Sequence, residues 1–173
     1  MVAERTQVSG TRNSLSIRFI DQFLTRRSSE QLTGLLVAQI DALNRISTTF
    51  GTEKSAEFCA EYAEQLRARM PKGTPIIRLS DQRFAILTTQ DSMNAIVDLT
   101  LEITETLQPE MQVQDDSYLV DLAIGMAVCP THADDGESLF RRADLALKSA
   151  QESELSYDIY RADATKQQAT LWK

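Results

Sequence analysis

The spacing of apolar and polar positions changes several times along the chain, and each change marks an element. The sharpest stretch runs from Ile76 to Leu87. Ile76, Ile77 and Leu79 lie before polar residues Ser80 to Arg83, and Phe84, Ala85, Ile86 and Leu87 follow. Two short apolar runs around a polar interruption predict a hairpin of strands. Apolar residues at successive positions predict that both strand faces are covered, as at the centre of a sheet. Leu35 to Ile40 reads as another buried strand, and residues 118–128 as the clearest one. In the latter, Val120, Leu122, Ile124, Met126 and Val128 form a large face, and Ala123, Gly125 and Ala127 a small face on which a helix packs closely. Asp121 interrupts the small face and is expected at an edge, because burial would demand a partner. Ser156 to Tyr160 predicts a short last strand.

Between these runs the spacing is helical. Leu15, Phe19, Ile20, Phe23 and Leu24 predict a helix over residues 14–27. Asp41 is placed to cap a short helix through Ile46, and Gly51 to end it. From Thr52, Ala56, Cys59, Ala63, Leu66 and Met70 make one stripe that stops at Pro71-Lys72-Gly73. Asp91 is the expected cap of a helix carrying Met93, Ile96, Val97, Thr100, Ile103 and Leu107, stopped by Pro109. Beyond Gly136, the positions Leu139, Phe140, Ala143, Ala146, Leu147 and Ala150 predict the last helix. Residues 1–13 lack periodicity and read as a linker or disordered end. Glu110 to Ser117 reads as turn-like, and residues 161–173, polar until Leu171-Trp172, as the start of a linker to a downstream module. Strands and helices in this order predict the α+β class, with helices laid against a sheet.

Charge narrows the function. The formal net charge is −7, with no basic cluster of the kind a nucleic-acid footprint needs. Arg26-Arg27 and Arg141-Arg142 are isolated pairs, read as solvated helix faces. No apolar run reaches the ~18–20 residues that span a bilayer, and no signal peptide is evident, so the fragment is expected to be cytoplasmic and to make no membrane contact. Cys59 and Cys129 sit in apolar runs and read as buried thiols. His132 is the only histidine, in a loop after Pro130, where it is expected to face solvent rather than ligate zinc.

Three separated segments carry a family resemblance. Ile40-Asp41-Ala42-Leu43-Asn44-Arg45-Ile46-Ser47-Thr48-Thr49-Phe50-Gly51 is similar to the pattern D-I-D-x-F-K-x-I-N-D-x-x-G. Arg78 to Leu87 stands where R-x-G-G-D-E-F-A-I-L is found. Ile124-Gly125-Met126-Ala127, Pro130 and Arg142-Ala143-Asp144-Leu145-Ala146-Leu147 follow S-I-G-I-A…P…R-A-D-x-A-L-Y. The chain thus resembles the GGDEF family, the diguanylate cyclase domains that make cyclic di-GMP from two GTP molecules, over roughly residues 14–160. Leu32-Thr33-Gly34-Leu35 also spells part of the family's opening motif, but it abuts the first strand; Asn13-Ser14-Leu15-Ser16 is the better counterpart. The resemblance implies a palm-like nucleotidyl cyclase fold with a central, mainly antiparallel sheet flanked by helices.

It also implies where catalysis would sit, and there the residue types differ. Joining nucleotides in this family needs a divalent metal held by carboxylates. The first such ligand corresponds to Gln39, and the acidic signature residues to Gln82 and Arg83. The two glycines that admit the nucleotide backbone correspond to Ser80 and Asp81. The guanine-reading positions correspond to Ser47 and Ala56, the phosphate-binding ones to Gln151 and Leu155, and the R-x-x-D inhibitory site to Pro71 and Thr74. These substitutions imply no catalysis, no inhibitory site, and no cofactor unless Asp41 and Asp81 together hold Mg2+. The expected role is a degenerate, regulatory domain in signal relay or dimerisation, beside an EAL domain of a parent that is a cyclic di-GMP phosphodiesterase. A GTP-binding sensor that activates such a neighbour, and a partner-binding scaffold, are the alternatives; an active cyclase is not expected. The expected partners are adjacent domains of the parent and a second copy of the chain, with no nucleic acid.

Overall fold

The computed structural model describes residues 2–40, 48, 50–80, 82–106, 110–113, 116–119 and 121–162. Its elements in chain order are α1 (Val2–Thr25), β1 (Leu32–Ile40), α2 (Thr52–Arg69), β2 (Ile76–Arg78), β3 (Arg83–Gln90), α3 (Met93–Thr106), β4 (Glu110–Val113), β5 (Asp116–Leu119), β6 (Leu122–Cys129), α4 (Gly136–Glu152) and β7 (Tyr157–Ile159). The main sheet has the order β2-β3-β1-β6-β7. All neighbours are antiparallel except β6 and β7, so the mainly antiparallel α+β sheet expected from the sequence is present.

Strand alternation sends successive side chains to opposite faces. Leu36, Ala38 and Ile40 of β1, Phe84 and Ile86 of β3, and Ile124, Met126 and Val128 of β6 meet Phe58, Cys59, Tyr62 and Leu66 of α2 and Ile96 and Ile103 of α3. Leu35 and Val37, Ala85 and Leu87, and Ala123, Ala127 and Cys129 turn the other way, onto Ile20 and Leu24 of α1 and Leu139, Ala143 and Leu147 of α4. The small face of β6 has the expected use. A methyl group on Gly125 would lie 2.1 Å from the Leu147 nitrogen and 2.2 Å from the Ala143 oxygen, so the backbone of α4 rests directly on the sheet. The other end of α4 is joined to α1, where the Asp21 carboxylate accepts a hydrogen bond of 2.6 Å from Gly136 N–H.

Several elements differ from the periodic reading. The sheet is centred on β1, whereas β2 is a half-buried edge strand of the hairpin. α1 begins at Val2, because a helix nucleated on its docked second half propagates into polar residues that show no apolar stripe. The stretch expected to be turn-like holds β4 and the first half of β5, and the long strand expected over 118–128 is divided between the end of β5 and β6, with Asp121 exposed before β6. In α2, Phe58 and Tyr62 are buried and Ala56 is exposed, so the stripe is rotated toward the aromatic residues. Gly51 sits at the N-terminal end of α2 with φ +94°. Ser92, not Asp91, caps α3: its hydroxyl accepts from Ala95 N–H at 3.2 Å.

The polar outliers found partners as well. His132 is half-buried; its Nδ1 accepts from Val128 N–H at 2.9 Å, and its ring meets the edge of Tyr160 at 5.6 Å. Arg142 is half-buried over that tyrosine ring and donates to the His132 carbonyl. Arg27 is also half-buried and donates to the Gln31 carbonyl at 2.7 Å, so of the two pairs only Arg26 and Arg141 are exposed. Both cysteines are buried free thiols. The positions Leu107, Pro109, Val120, the short helix proposed after Asp41, and Leu171-Trp172 lie outside the described residues. Among the described residues no helix is long and apolar enough to cross a membrane.

Candidate functional site

The register of β1 and β3 pairs Gln39 with Arg83 at one end of the two strands. Both residues belong to the alternation that faces α4, the same set as Leu35, Val37, Ala85 and Leu87. α4 lies close on this face because Gly125 lacks a side chain. Its Asp144, next to buried Ala143, reaches the strand ends from above. The Arg83 guanidinium lies between them: Nε donates to Gln39 Oε1 at 2.9 Å, and Nη1 donates to Asp144 Oδ1 at 3.1 Å. The contacts join positions 44 and 61 residues apart.

The electrostatics are those of a partly buried ion pair. Burial raises the Asp144 carboxyl above its usual range, and the neighbouring Arg83 charge draws it back only in part. Desolvation therefore outweighs attraction at this pair.

Around the pair is an open cleft of about 420 Å³, lined by Arg83, Arg141, Asp144, Leu145, Lys148 and Gln151. A second cleft, about 500 Å³, adjoins it at Gln151 and is lined further by Thr104, Asp121, Leu122, Ala123, Glu154, Leu155 and Ser156. The structure thus brings Gln39, Arg83 and Gln151 to one region, with Leu155 exposed on the adjoining cleft. Ser80 is exposed in the β2–β3 turn, and its hydroxyl accepts from Gln82 N–H at 3.3 Å. Gln82 itself contributes its carbonyl to Ile40 N–H at 2.9 Å. Ala56 is exposed on α2, which covers the opposite face of the sheet. Pro71 and Thr74 bound a turn closed by a 2.7 Å bond from the Thr74 hydroxyl to the Pro71 carbonyl. Asp41, Ser47 and Asp81 lie outside the described residues.

The described residues do not fit a divalent cation. The amide oxygen of Gln39 and the carboxylate of Asp144 both accept from a guanidinium, which repels a metal ion placed beside it. No group of three His, Cys, Asp or Glu side chains among the described residues is arranged to ligate one. Asp144 is the site residue that motif reading passed over, since it counted only as part of Arg142-Ala143-Asp144. The available signal was a carboxylate at the margin of the Ala143, Ala146, Leu147 and Ala150 stripe, where a charge is drawn partly out of water.

Comparison with known proteins gives the family of the chain. Residues 11–156 match the family model described as diguanylate cyclase, GGDEF domain. Among solved structures, the chain is similar to the GGDEF domain of PA1120 (YfiN or TpbB) from Pseudomonas aeruginosa, at 22% identity over 82% of this chain and 91% of that one, with a TM-score of 0.74. It is similar to the active GGEEF domain of a diguanylate cyclase from Vibrio cholerae, at 20% identity over 86% and 96% of the two chains and a TM-score of 0.72. A diguanylate cyclase/phosphodiesterase from Caldicellulosiruptor saccharolyticus is similar at 25% identity, over 85% of each chain, with a TM-score of 0.70. No curated protein matches the chain. With the family model covering most of its length and the fold shared with these structures, the chain belongs to the GGDEF domain family.

Proposed function

We propose that this is a non-catalytic, regulatory GGDEF domain of a cyclic di-GMP signalling protein, acting in signal relay or dimerisation. The observation that carries this reading is the Arg83 guanidinium bound to Gln39 and Asp144. Nucleotide joining in the family relies on carboxylates that hold a metal against the triphosphate. Here an internal cation stands beside the corresponding strand positions, and Asp144, the carboxylate described there, is already paired with it.

In this reading residues 14–160 are the regulatory domain and residues 161–173 lead to a neighbouring module, an EAL phosphodiesterase. Support for that neighbour comes from the similar Caldicellulosiruptor protein, which is described as a diguanylate cyclase/phosphodiesterase. α1 supports relay or dimerisation. It is tied to the domain through Asp21, and it presents Leu15 and Phe19, one turn apart, to solvent.

The test is incubation of the purified chain with GTP and Mg2+, with chromatography for cyclic di-GMP and a parallel melting curve. No product and no Mg2+-dependent stabilisation by GTP is the expected result. A ligand at ~100 times its Kd would stabilise by about 2.7 kcal/mol, a shift that melting detects readily. Cyclic di-GMP made at a rate proportional to protein overturns the reading.

A further inference from the structure

We propose that His132 is a proton-operated stop at the end of β7. Neutral, it ends the pairing of β7 with β6; protonated, it yields its place to the chain beyond Ile159, which continues along the sheet edge. The parallel ladder shows why. Ile124 N–H donates to the Ser156 carbonyl at 2.9 Å, and Tyr160 N–H donates to the Met126 carbonyl at 2.8 Å. Every second residue of β6 therefore turns its peptide groups toward β7, with Ile124 opposite Tyr157 and Met126 opposite Ile159. Val128 is the next in this series. In a continued ladder its N–H meets the Tyr160 carbonyl, and its carbonyl meets the N–H of Ala162. Both groups are taken by His132 instead. The His132 N–H donates to the Val128 carbonyl at 2.6 Å, and its Nδ1 accepts from the Val128 N–H at 2.9 Å. One residue thus fills the two positions through which β7 would grow, and the strand ends at Ile159.

The stop depends on the charge of the ring. Nδ1 accepts only while the imidazole is neutral with its proton on Nε2. Protonation sets donor against donor at Val128 and adds a second cation beside Arg142. The acceptor that the ladder brings to the freed N–H is the Tyr160 carbonyl. The surroundings favour this exchange. From α4, Arg142 donates to the His132 carbonyl, and its guanidinium lies 5.4 Å from the centre of the Tyr160 ring. From the chain after β7, Tyr160 meets the imidazole at 5.6 Å, and Arg161 is turned to Asp158. β6 offers the buried Cys129 thiol. In the loop of His132 itself, Asp134 and Asp135 are exposed, and Asp135 accepts from Ser138 N–H at 2.8 Å. Among the described residues no carboxylate forms an ion pair with His132. Burial and the Arg142 charge hold its pKa below 6.5, so the ring is neutral at pH 7.5 and the stop is closed there. Where residues 161–173 lead to a neighbouring module, as in the reading above, the added pairing redirects them, and acid is read as a change in the path by which the chain leaves the domain.

Only that last consequence rests on the proposed function; the switch itself is tested without GTP, so either can fail alone. His132 is the only histidine, which makes its titration unambiguous. The experiment is an NMR titration of the whole chain from about pH 7.5 to about pH 5. The His132 ring, the Val128 amide and the Tyr160 and Arg161 backbone signals are expected to move with one midpoint below 6.5. The Cα shifts of Tyr160 and Arg161 are expected to move toward strand values, while the signals of β1 stay in place. In His132→Gln a side-chain oxygen accepts at any pH, and the Val128 and Tyr160 signals are expected to keep their neutral positions throughout. Val128 and Tyr160 signals that ignore the histidine titration overturn the proposal, as does a movement that persists in His132→Gln. Tyr160 and Arg161 shifts that move to random-coil values, or β1 signals lost in step with the titration, overturn it as well, since they mean release or unfolding rather than a longer β7.

Discussion

Arg83 and Asp144, with side chains 38% and 34% exposed and 3.1 Å between their charged atoms, attract each other through partly screened surroundings. Such a pair contributes little on its own, but either member alone is a half-buried charge without its partner. Arg83→Met is therefore expected to lower stability by about 1 kcal/mol, after allowance for solvent screening. The Arg83→Met/Asp144→Leu double variant is expected to lose less than the two single variants added together. Urea unfolding of the four proteins measures this coupling. The pH dependence carries a sign. Burial raises the folded carboxyl above its ordinary 3.8, so its ionisation works against folding as pH climbs through that range. Arg83 opposes this effect, and Arg83→Met is expected to lose more stability relative to the parent at pH 7 than at pH 3.5.

At the scale of elements, the site depends on how closely α4 lies on β6. Gly125 makes that contact, since a methyl group there meets the backbone of Ala143 and Leu147 rather than a side chain that turns aside. Gly125→Ala is expected to cost about 3 kcal/mol and to displace α4. Calorimetric unfolding gives the first quantity. Loss of the Arg83–Asp144 coupling in a variant that still folds gives the second. The sequence displayed the small face of β6 and the apolar stripe of α4, so this packing was legible from periodicity alone. The β4–β5 pair was not, because four-residue strands are too short for alternation to stand out from a polar loop. The shift of the α3 cap from Asp91 to Ser92 has a similar origin: adjacent Asp and Ser are both good caps, and only the direction in which the chain leaves β3 separates them.

For the molecule as a whole, the His132 corner links β6, the loop before α4, and Tyr160 after β7. Burial, with help from the Arg142 charge, lowers the histidine below its ordinary 6.5. The neutral ring accepts Val128 N–H at Nδ1, an acceptor that protonation removes. The unfolded chain thus binds this proton more readily than the folded one. Stability is expected to be full above pH 6.5 and to fall as pH drops below it, by at most about 1.4 kcal/mol per unit from this group. Urea midpoints between pH 7.5 and pH 5 measure the slope, and His132→Gln is expected to flatten it.

The sequence by itself determined the α+β class, the faces of β1, β3 and β6, the helices that cover them, and the GGDEF resemblance. It also carries the residue types on which the proposed loss of catalysis rests. These are local properties: period, composition and motif order are written in neighbouring residues. Only the tertiary structure decided that the Arg83 charge is bound at both ends, by Gln39 and by Asp144, and that Arg141 and Lys148 stand beside it. No window of sequence contains that meeting. It follows from the register of β1 with β3 and from the backbone contact at Gly125, which bring together side chains 44 and 61 residues apart.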